Sequence, residues 1–369
     1  MRPFRIDVPD AVLDDLRARL NAARLLDDSP NRPPSGMSAP YLRDLVQSWA
    51  AFDWREREAW LNGHPQFLAD VGDATVHFVH RRARQGDAPA LLIMHGWPHL
   101  FTLQLDYADL LPDFHVVVVS LPGFAYSTPY ATGRITESRL AETMHRLMTE
   151  VLGYERYLTY GEDVSANVND LIAARYPHAV AGIIVTHAHF PTPEERRALV
   201  LPDERAFFDR LAATHHTDGA YGHVQATRPD TLAVALNDSP SGLIAWLVEK
   251  LVEWSDTPPG EPSAIERRIS RERLLTEATV YWVTQTVASS FRPYYEGADT
   301  PGPIPPVTVP AAVFIQRHEG DYPESIARSY YRDLRTFERL EAGGHFAVGE
   351  VPDAMAERTR RFARELGLL

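Results

Sequence analysis

Three stretches of this chain carry residue types that could do covalent chemistry on a small molecule. The first is Tyr157-Leu158-Thr159-Tyr160-Gly161-Glu162-Asp163-Val164-Ser165-Ala166. Four residues of strand character run into a glycine, and Val164, Val168, Leu171 and Ile172 then recur at helical spacing. That pattern reads strand, sharp turn, helix, with Asp163 at the tip of the turn. The small Gly161 and Ser165 beside it allow the close approach and strained dihedrals of a tight elbow. A carboxylate there sits by a helix N-terminus, which favours its ionised, nucleophilic form. Aspartate is also an ordinary helix cap. The rest of the chain has to decide between the two.

The second stretch is His95-Gly96-Trp97-Pro98, directly after the apolar run Ala90–Met94. A backbone N–H of Trp97, with that of Val164 after the nucleophile, could hold a developing oxyanion. The third is Gly343-Gly344-His345-Phe346, a glycine-flanked histidine just before the terminal helix. A histidine placed after the last strand suits a general base that follows nucleophile and acid in chain order. The acid should follow the strand ending at Ile315, where Glu319 and Asp321 both stand. Spacing does not choose between them. Together these groups would make an ester on Asp163 and then hydrolyse it with water activated by His345.

The elements that must position these groups are legible in the hydrophobic pattern. Thr75-Val76-His77-Phe78-Val79-His80 alternates, as a half-buried edge strand should. Ala90–Met94 and Phe114–Val119 are continuous apolar runs, the mark of strands covered on both faces. With Tyr157–Tyr160, Gly182–Val185 and Ala311–Ile315 they alternate with helix-like segments, which predicts an α/β fold with a mostly parallel sheet flanked by helices. Catalytic groups in such sheets lie beyond the carboxyl ends of the strands. Residues 1–70 read as helices and loops without a strand pattern, an N-terminal arm clasping the core. Residues 71–190 give the first half of the core, 191–280 a helical cap inserted into it, and 281–369 its second half.

Composition narrows the function classes. At 369 residues the chain suits one large unit with insertions, and its 44% hydrophobic and 24% charged content is that of a soluble globular protein. The net charge of −13, without a block of like charges, argues against a nucleic-acid surface. There is no cysteine, so disulfides, thiol catalysis and cysteine metal sites are excluded. Met1–Asp14 is charged and broken by Pro3 and Pro9, unlike a signal peptide, and apolar runs such as Val116–Val119 are strand-sized. A soluble, cytoplasmic protein without a membrane anchor is expected. His187-Ala188-His189 lacks a third ligand at metal spacing and reads as loop or core. No metal or cofactor is signalled.

Taken together, the motifs resemble the microsomal type of epoxide hydrolase within the α/β-hydrolase superfamily, over nearly the whole chain. The resemblance rests on Trp54-Arg55, Leu61-Asn62 through Phe67, His95-Gly96-Trp97-Pro98 and Leu121-Pro122-Gly123-Phe124. It continues through Tyr221-Gly222-His223-Val224-Gln225, Leu236-Asn237-Asp238-Ser239-Pro240, Phe291-Arg292-Pro293-Tyr294-Tyr295-Glu296 and Gly343–Ala347. It implies an α/β-hydrolase fold and hydrolysis of a small-molecule epoxide to a vicinal diol through an aspartyl ester. It implies Asp163 as nucleophile, His345 as base and Glu319 as acid, with Tyr221 and Tyr294 donating to the epoxide oxygen from the cap. Tyr295 is the local rival of Tyr294, and His95, Trp97 and Tyr295 are expected at the substrate. One departure concerns Val164, where the family often has tryptophan or another bulky residue, with acidic Glu162 on the other side of the nucleophile. Both are expected to reshape the pocket floor.

Other readings make different demands. A dehalogenase also uses an elbow aspartate but needs no pair of proton-donating tyrosines. A serine esterase needs Gly-x-Ser-x-Gly, which does not occur. A non-catalytic ligand-binding protein on this fold would be expected to have lost a catalytic group, yet every position is filled. A homodimer stays open.

Overall fold

The continuous apolar runs become the centre of a nine-stranded sheet. The structure, a computed structural model, describes residues 1–33, 35–297 and 304–369. The strands are β1 (Arg2–Phe4), β2 (Gln66–Val71), β3 (Ala74–Arg81), β4 (Ala90–Met94) and β5 (His115–Val119), then β6 (Tyr157–Gly161), β7 (Val180–Val185), β8 (Val307–Ile315) and β9 (Tyr331–Arg339). Their order is β1-β2-β3-β5-β4-β6-β7-β8-β9. From β5 to β9 every pairing is parallel, whereas β1, β2 and β3 join through antiparallel pairs. Every residue of β4, β5, β6 and β7 is buried, which is why these strands read as unbroken apolar runs. Each buried Val, Leu or Ile there contributes roughly 1.5–3 kcal/mol.

Two expectations for the N-terminal third are corrected. Residues 1–70 contain β1 and β2 as well as α1 (Asp10–Asn21), α2 (Ala39–Ala50) and α3 (Trp54–Leu61). β1 is short, and β2 has an irregular burial pattern, so neither alternates cleanly. The Gly72-Asp73 turn that joins β2 to β3, with Val71 opposite Ala74, was the available hairpin signal. β3 is also no edge strand, since it pairs with β2 on one side and β5 on the other. Its alternation came from His77 and His80, which are buried and hydrogen-bonded. His77 meets Ser120 and Gln66, and His80 meets the Tyr154 hydroxyl. Polar residues with internal partners mimic a wet face.

The remaining helices that matter for the site are α4 (Leu105–Asp109), α5 (Glu137–Arg146), α6 (Val164–Arg175) and the final helix Pro352–Glu365. Between β7 and β8 the chain is helical from Pro193 to as far as Glu296, past residue 280. The N-terminal helices clasp this insertion. Trp49 Nε1 donates to Thr279 Oγ1 at 2.8 Å, and Arg57 Nε donates to Thr276 Oγ1 at 2.9 Å. Among the described residues no helix is long and apolar enough to cross a membrane.

Candidate active site

Asp163 links β6 to α6 with φ 55° and ψ −121°, a conformation of glycine rather than of a side chain with Cβ. Such strain costs of order 1–3 kcal/mol and persists only where the surroundings impose it. Glycines make room for it. A Cβ on Gly96 would lie 2.4 Å from the Asp163 Cβ and carboxylate, and one on Gly161 would lie 2.4 Å from the Ser165 carbonyl oxygen. The turn thus lifts the carboxylate off the carboxyl edge of the sheet, against the loop that follows β4. There the Trp97 N–H donates to Asp163 Oδ1 at 2.7 Å.

The other carboxylate oxygen faces the histidine. His345 Nε2 donates to Asp163 Oδ2 at 3.0 Å, and His345 Nδ1 donates to Glu319 Oε1 at 3.0 Å. Glu319 therefore occupies the position that spacing left open. Asp321 pairs instead with Arg210 at the surface, with about half of its side chain exposed. Burial pushes the Asp163 carboxyl up, but the hydrogen bond and charge of His345 and the Trp97 N–H reverse this, to about 2. Burial likewise pushes Glu319 up, and the imidazoles of His187 and His345 bring it to about 2. For His345 burial acts downward, and its hydrogen bonds to the two carboxylates overcome that and raise it to about 10. The resting site is an imidazolium between two carboxylates.

Across from Asp163 stand two phenols carried by the insertion, Tyr221 on helix Ala220–Thr227 and Tyr294 on helix Arg292–Glu296. Their rings meet edge to face at 5.8 Å, and the Tyr221 ring stacks on Trp97 at 5.2 Å. Burial, then the neighbouring Asp163 charge, raises Tyr221. Burial, then Tyr221 and Asp163, raises Tyr294 further. Both phenols keep their protons and can donate to an acceptor placed between them and the carboxylate. Asp163, Val164, Tyr221 and Tyr294 line one cavity of about 260 Å³ with Ile135, Thr136, Glu137, Leu140, Pro293 and Gly297. This is slightly below the usual span of small-molecule sites, roughly 300–1,000 Å³.

Comparison with known proteins agrees with this geometry. Residues 1–103 match the family described as "Epoxide hydrolase N terminus", and residues 89–348 match the alpha/beta hydrolase fold. A putative epoxide hydrolase of Stigmatella aurantiaca is 33% identical, the alignment covering 99% of this chain and 85% of that one. The chain belongs to the epoxide hydrolase family. Epoxide hydrolase 1 of Sus scrofa is 29% identical over 100% of this chain and 89% of its own. Among solved structures, the juvenile hormone epoxide hydrolase of the silkworm Bombyx mori superposes with a TM-score of 0.84 at 25% identity, covering 100% of this chain and 94% of that one.

Within this epoxide hydrolase family member, none of the three residues expected at the substrate, His95, Trp97 and Tyr295, lines the cavity with its side chain. His95 is fully buried, its Nδ1–H donating to the Gly96 carbonyl and its Nε2 accepting the Leu121 N–H at 3.1 Å. It braces the loop and does not line the cavity. Tyr295 is 38% exposed and does not line it either, because consecutive residues on a helix face different ways. Trp97 contributes its backbone N–H and a ring behind Tyr221. Val164 opens α6 and lines the cavity. Glu162 lies outside the cavity, fully buried and hydrogen-bonded to His99 and Tyr160.

The sequence reading missed His187, which is no bystander. Its Nδ1 accepts the Asp163 N–H at 3.4 Å, and its Nε2 lies 3.0 Å from His345 Nδ1 and 3.7 Å from Glu319. Burial and the His345 charge lower it to about 4, so it is neutral. The signal was available in its position, two residues beyond the end of β7 on the catalytic edge of the sheet. Glu350 was missed too. Its carboxylate accepts the N–H groups of Gly344, Phe346 and Asp256, which fixes the loop that carries His345.

Proposed function

We propose that this protein adds water to a small epoxide in two steps, through an ester on Asp163, and releases a vicinal diol. The observation that carries the reading is the opposition of one held carboxylate and two protonated phenols across a single cavity. Attack by Asp163 Oδ2 on a ring carbon forms one C–O bond and breaks the ring C–O bond, so an alkoxide leaves unless it is protonated. Tyr221 and Tyr294 supply that proton from the opposite face. In the second step water attacks the Asp163 carbonyl carbon and gives its proton to His345. The charge that develops on Oδ1 falls on the Trp97 N–H, with the N–H of Val164 as the second donor. Collapse breaks the ester C–O bond, His345 passes its proton to the leaving diol oxygen, and the remaining proton of the attacking water replaces the one the phenol gave up, which restores the carboxylate.

The charge pattern explains how one histidine serves after, and not before, the first step. In the resting site His345 is an imidazolium and cannot accept a proton. Esterification removes the Asp163 charge that raised it, so its pKa falls and the neutral base appears only when an ester needs hydrolysis. Asp163 meanwhile stays ionised down to about pH 2. Lowering the pH should therefore slow ester hydrolysis while sparing ester formation, since the proton on His345 is retained first. Acid-quenched samples taken during turnover at pH 5 and pH 8 should contain more esterified protein at pH 5. An ester fraction equal or larger at pH 8 would remove this account.

The test of the reading is direct. Small epoxides should be converted to diols, and Tyr221→Phe and Tyr294→Phe should each slow ester formation on the order of 10²-fold, the usual effect of losing one donor at a developing oxyanion. Either variant working at the full rate on a simple epoxide would sink the shared role of the phenols.

A further inference from the structure

The mechanism leaves one carboxyl in the cavity without a task. Glu137 lies in the first turn of α5, lines the same space as Asp163 and Tyr294, and uses Oε1 to accept the Asn167 Nδ2–H at 2.8 Å. Burial pushes its pKa up, with only the Asn167 hydrogen bond acting the other way and no cation contributing. It is not needed to cap the helix, because Thr136 already accepts the Arg139 N–H there. The side chain is half-buried, and its second carboxyl oxygen has no hydrogen-bond partner among the described residues, so a donor that enters the cavity can meet it.

Its position relative to the reacting atoms is fixed from two sides. Asn167 stands four residues after Asp163 on α6, about 6 Å along the axis. Just before Glu137, the Ile135 N–H donates to Glu296 Oε2 at 2.7 Å, which ties this wall to the helix that carries Tyr294. The same cavity is lined by the apolar side chains of Ile135, Leu140, Val164 and Pro293. A substrate in this cavity therefore meets the reactive carboxylate, apolar wall and a second acceptor.

We propose that Glu137 sets substrate preference, and that the substrate class is a small epoxide bearing a hydrogen-bond donor, a hydroxyl or a protonated amino group, that meets the free oxygen of Glu137 while the ring lies at Asp163. This rests on the epoxide hydrolase reading above. Two carboxylates in one small cavity also disfavour an epoxide that is itself anionic.

The test uses three terminal epoxides of equal length ending in hydroxyl, ammonium or methyl, with the wild type, Glu137→Gln and Glu137→Leu. The wild type should favour at least one donor-bearing epoxide over the methyl one by about tenfold or more in kcat/KM, as a site with a polar group left unpaired does. Glu137→Leu should lower the donor-to-methyl ratio by about tenfold or more. Glu137→Gln can keep the bond to Asn167 and present N–H to the cavity, so the ammonium-to-methyl ratio should fall most. Whether hydroxyl or ammonium is preferred tells which donor the site takes. Turnover of the methyl epoxide with no donor preference would overturn the assignment alone. So would variants in which all three substrates fall together with the melting temperature, since Glu137 would then only join α5 to α6. No turnover of any of the three by the wild type, and no adduct on a His345→Gln protein, would overturn the hydrolase reading and this inference with it.

Discussion

A His345→Gln variant mixed with a small epoxide should gain the mass of one epoxide molecule and then stop. The reason is that His345 enters the chemistry only after Asp163 has been alkylated. Glutamine can still sit between Asp163 Oδ2 and Glu319, where His345 makes both of its 3.0 Å hydrogen bonds, but it cannot take a proton from water. Asp163 keeps its Trp97 contact and stays anionic, and the two phenols keep their protons. Ester formation should therefore survive while hydrolysis slows by roughly 10²–10⁴-fold, the usual contribution of a positioned acid–base group. Intact mass spectrometry followed by peptide mapping reads both the adduct and its site. An adduct on any residue other than Asp163, or steady diol release at the wild-type rate, would defeat the two-step scheme. A panel of aryl and alkyl epoxides would also rank substrates by the rate at which each adduct appears.

The second large effect is the loss of turnover in Asp163→Ala. Without a carboxylate at the elbow no ester forms, and the remaining groups have nothing to act on. A fall on the order of 10⁴-fold or more in kcat/KM is expected, as for other nucleophiles that act within a unit. His345 should respond as well. With one of its two anions gone, its pKa should drop from about 10, which NMR titration of the imidazole can follow. If the pKa stayed near 10 in Asp163→Ala, Glu319 alone would be holding the charge, and the timing argued above for the base would fail. Residual diol formation within tenfold of the wild type would mean that water attacks the epoxide directly.

Both predictions depend on an arrangement that the sequence reveals unevenly. The elbow was readable because its requirements are local. A strand, small residues at 161 and 165 and a helical period after Asp163 are all short-range, and the observed φ of 55° is what such a turn demands. The loop of Gly343-Gly344-His345 was readable from its place after the last strand. The parallel sheet was readable because strands buried on both faces become runs of apolar residues with no competing pattern.

What tertiary structure decided is the choice among chemically equal neighbours. Glu319 and Asp321 are two residues apart and both acidic, and only the packing of the loop turns one to His345 and the other to Arg210. Tyr294 and Tyr295 differ by one residue on a helix, and only the docking of that helix on the core decides which phenol enters the cavity. His77 and His80 looked like the wet side of an edge strand because side chains from distant segments satisfy them. His187 and Glu137 carry no motif at all, and they matter because β7 ends beside the elbow and α5 packs on α6. Local sequence fixes backbone turns and periodicity, whereas a side chain's partner is set by segments far away along the chain, and in this protein those partners complete the site.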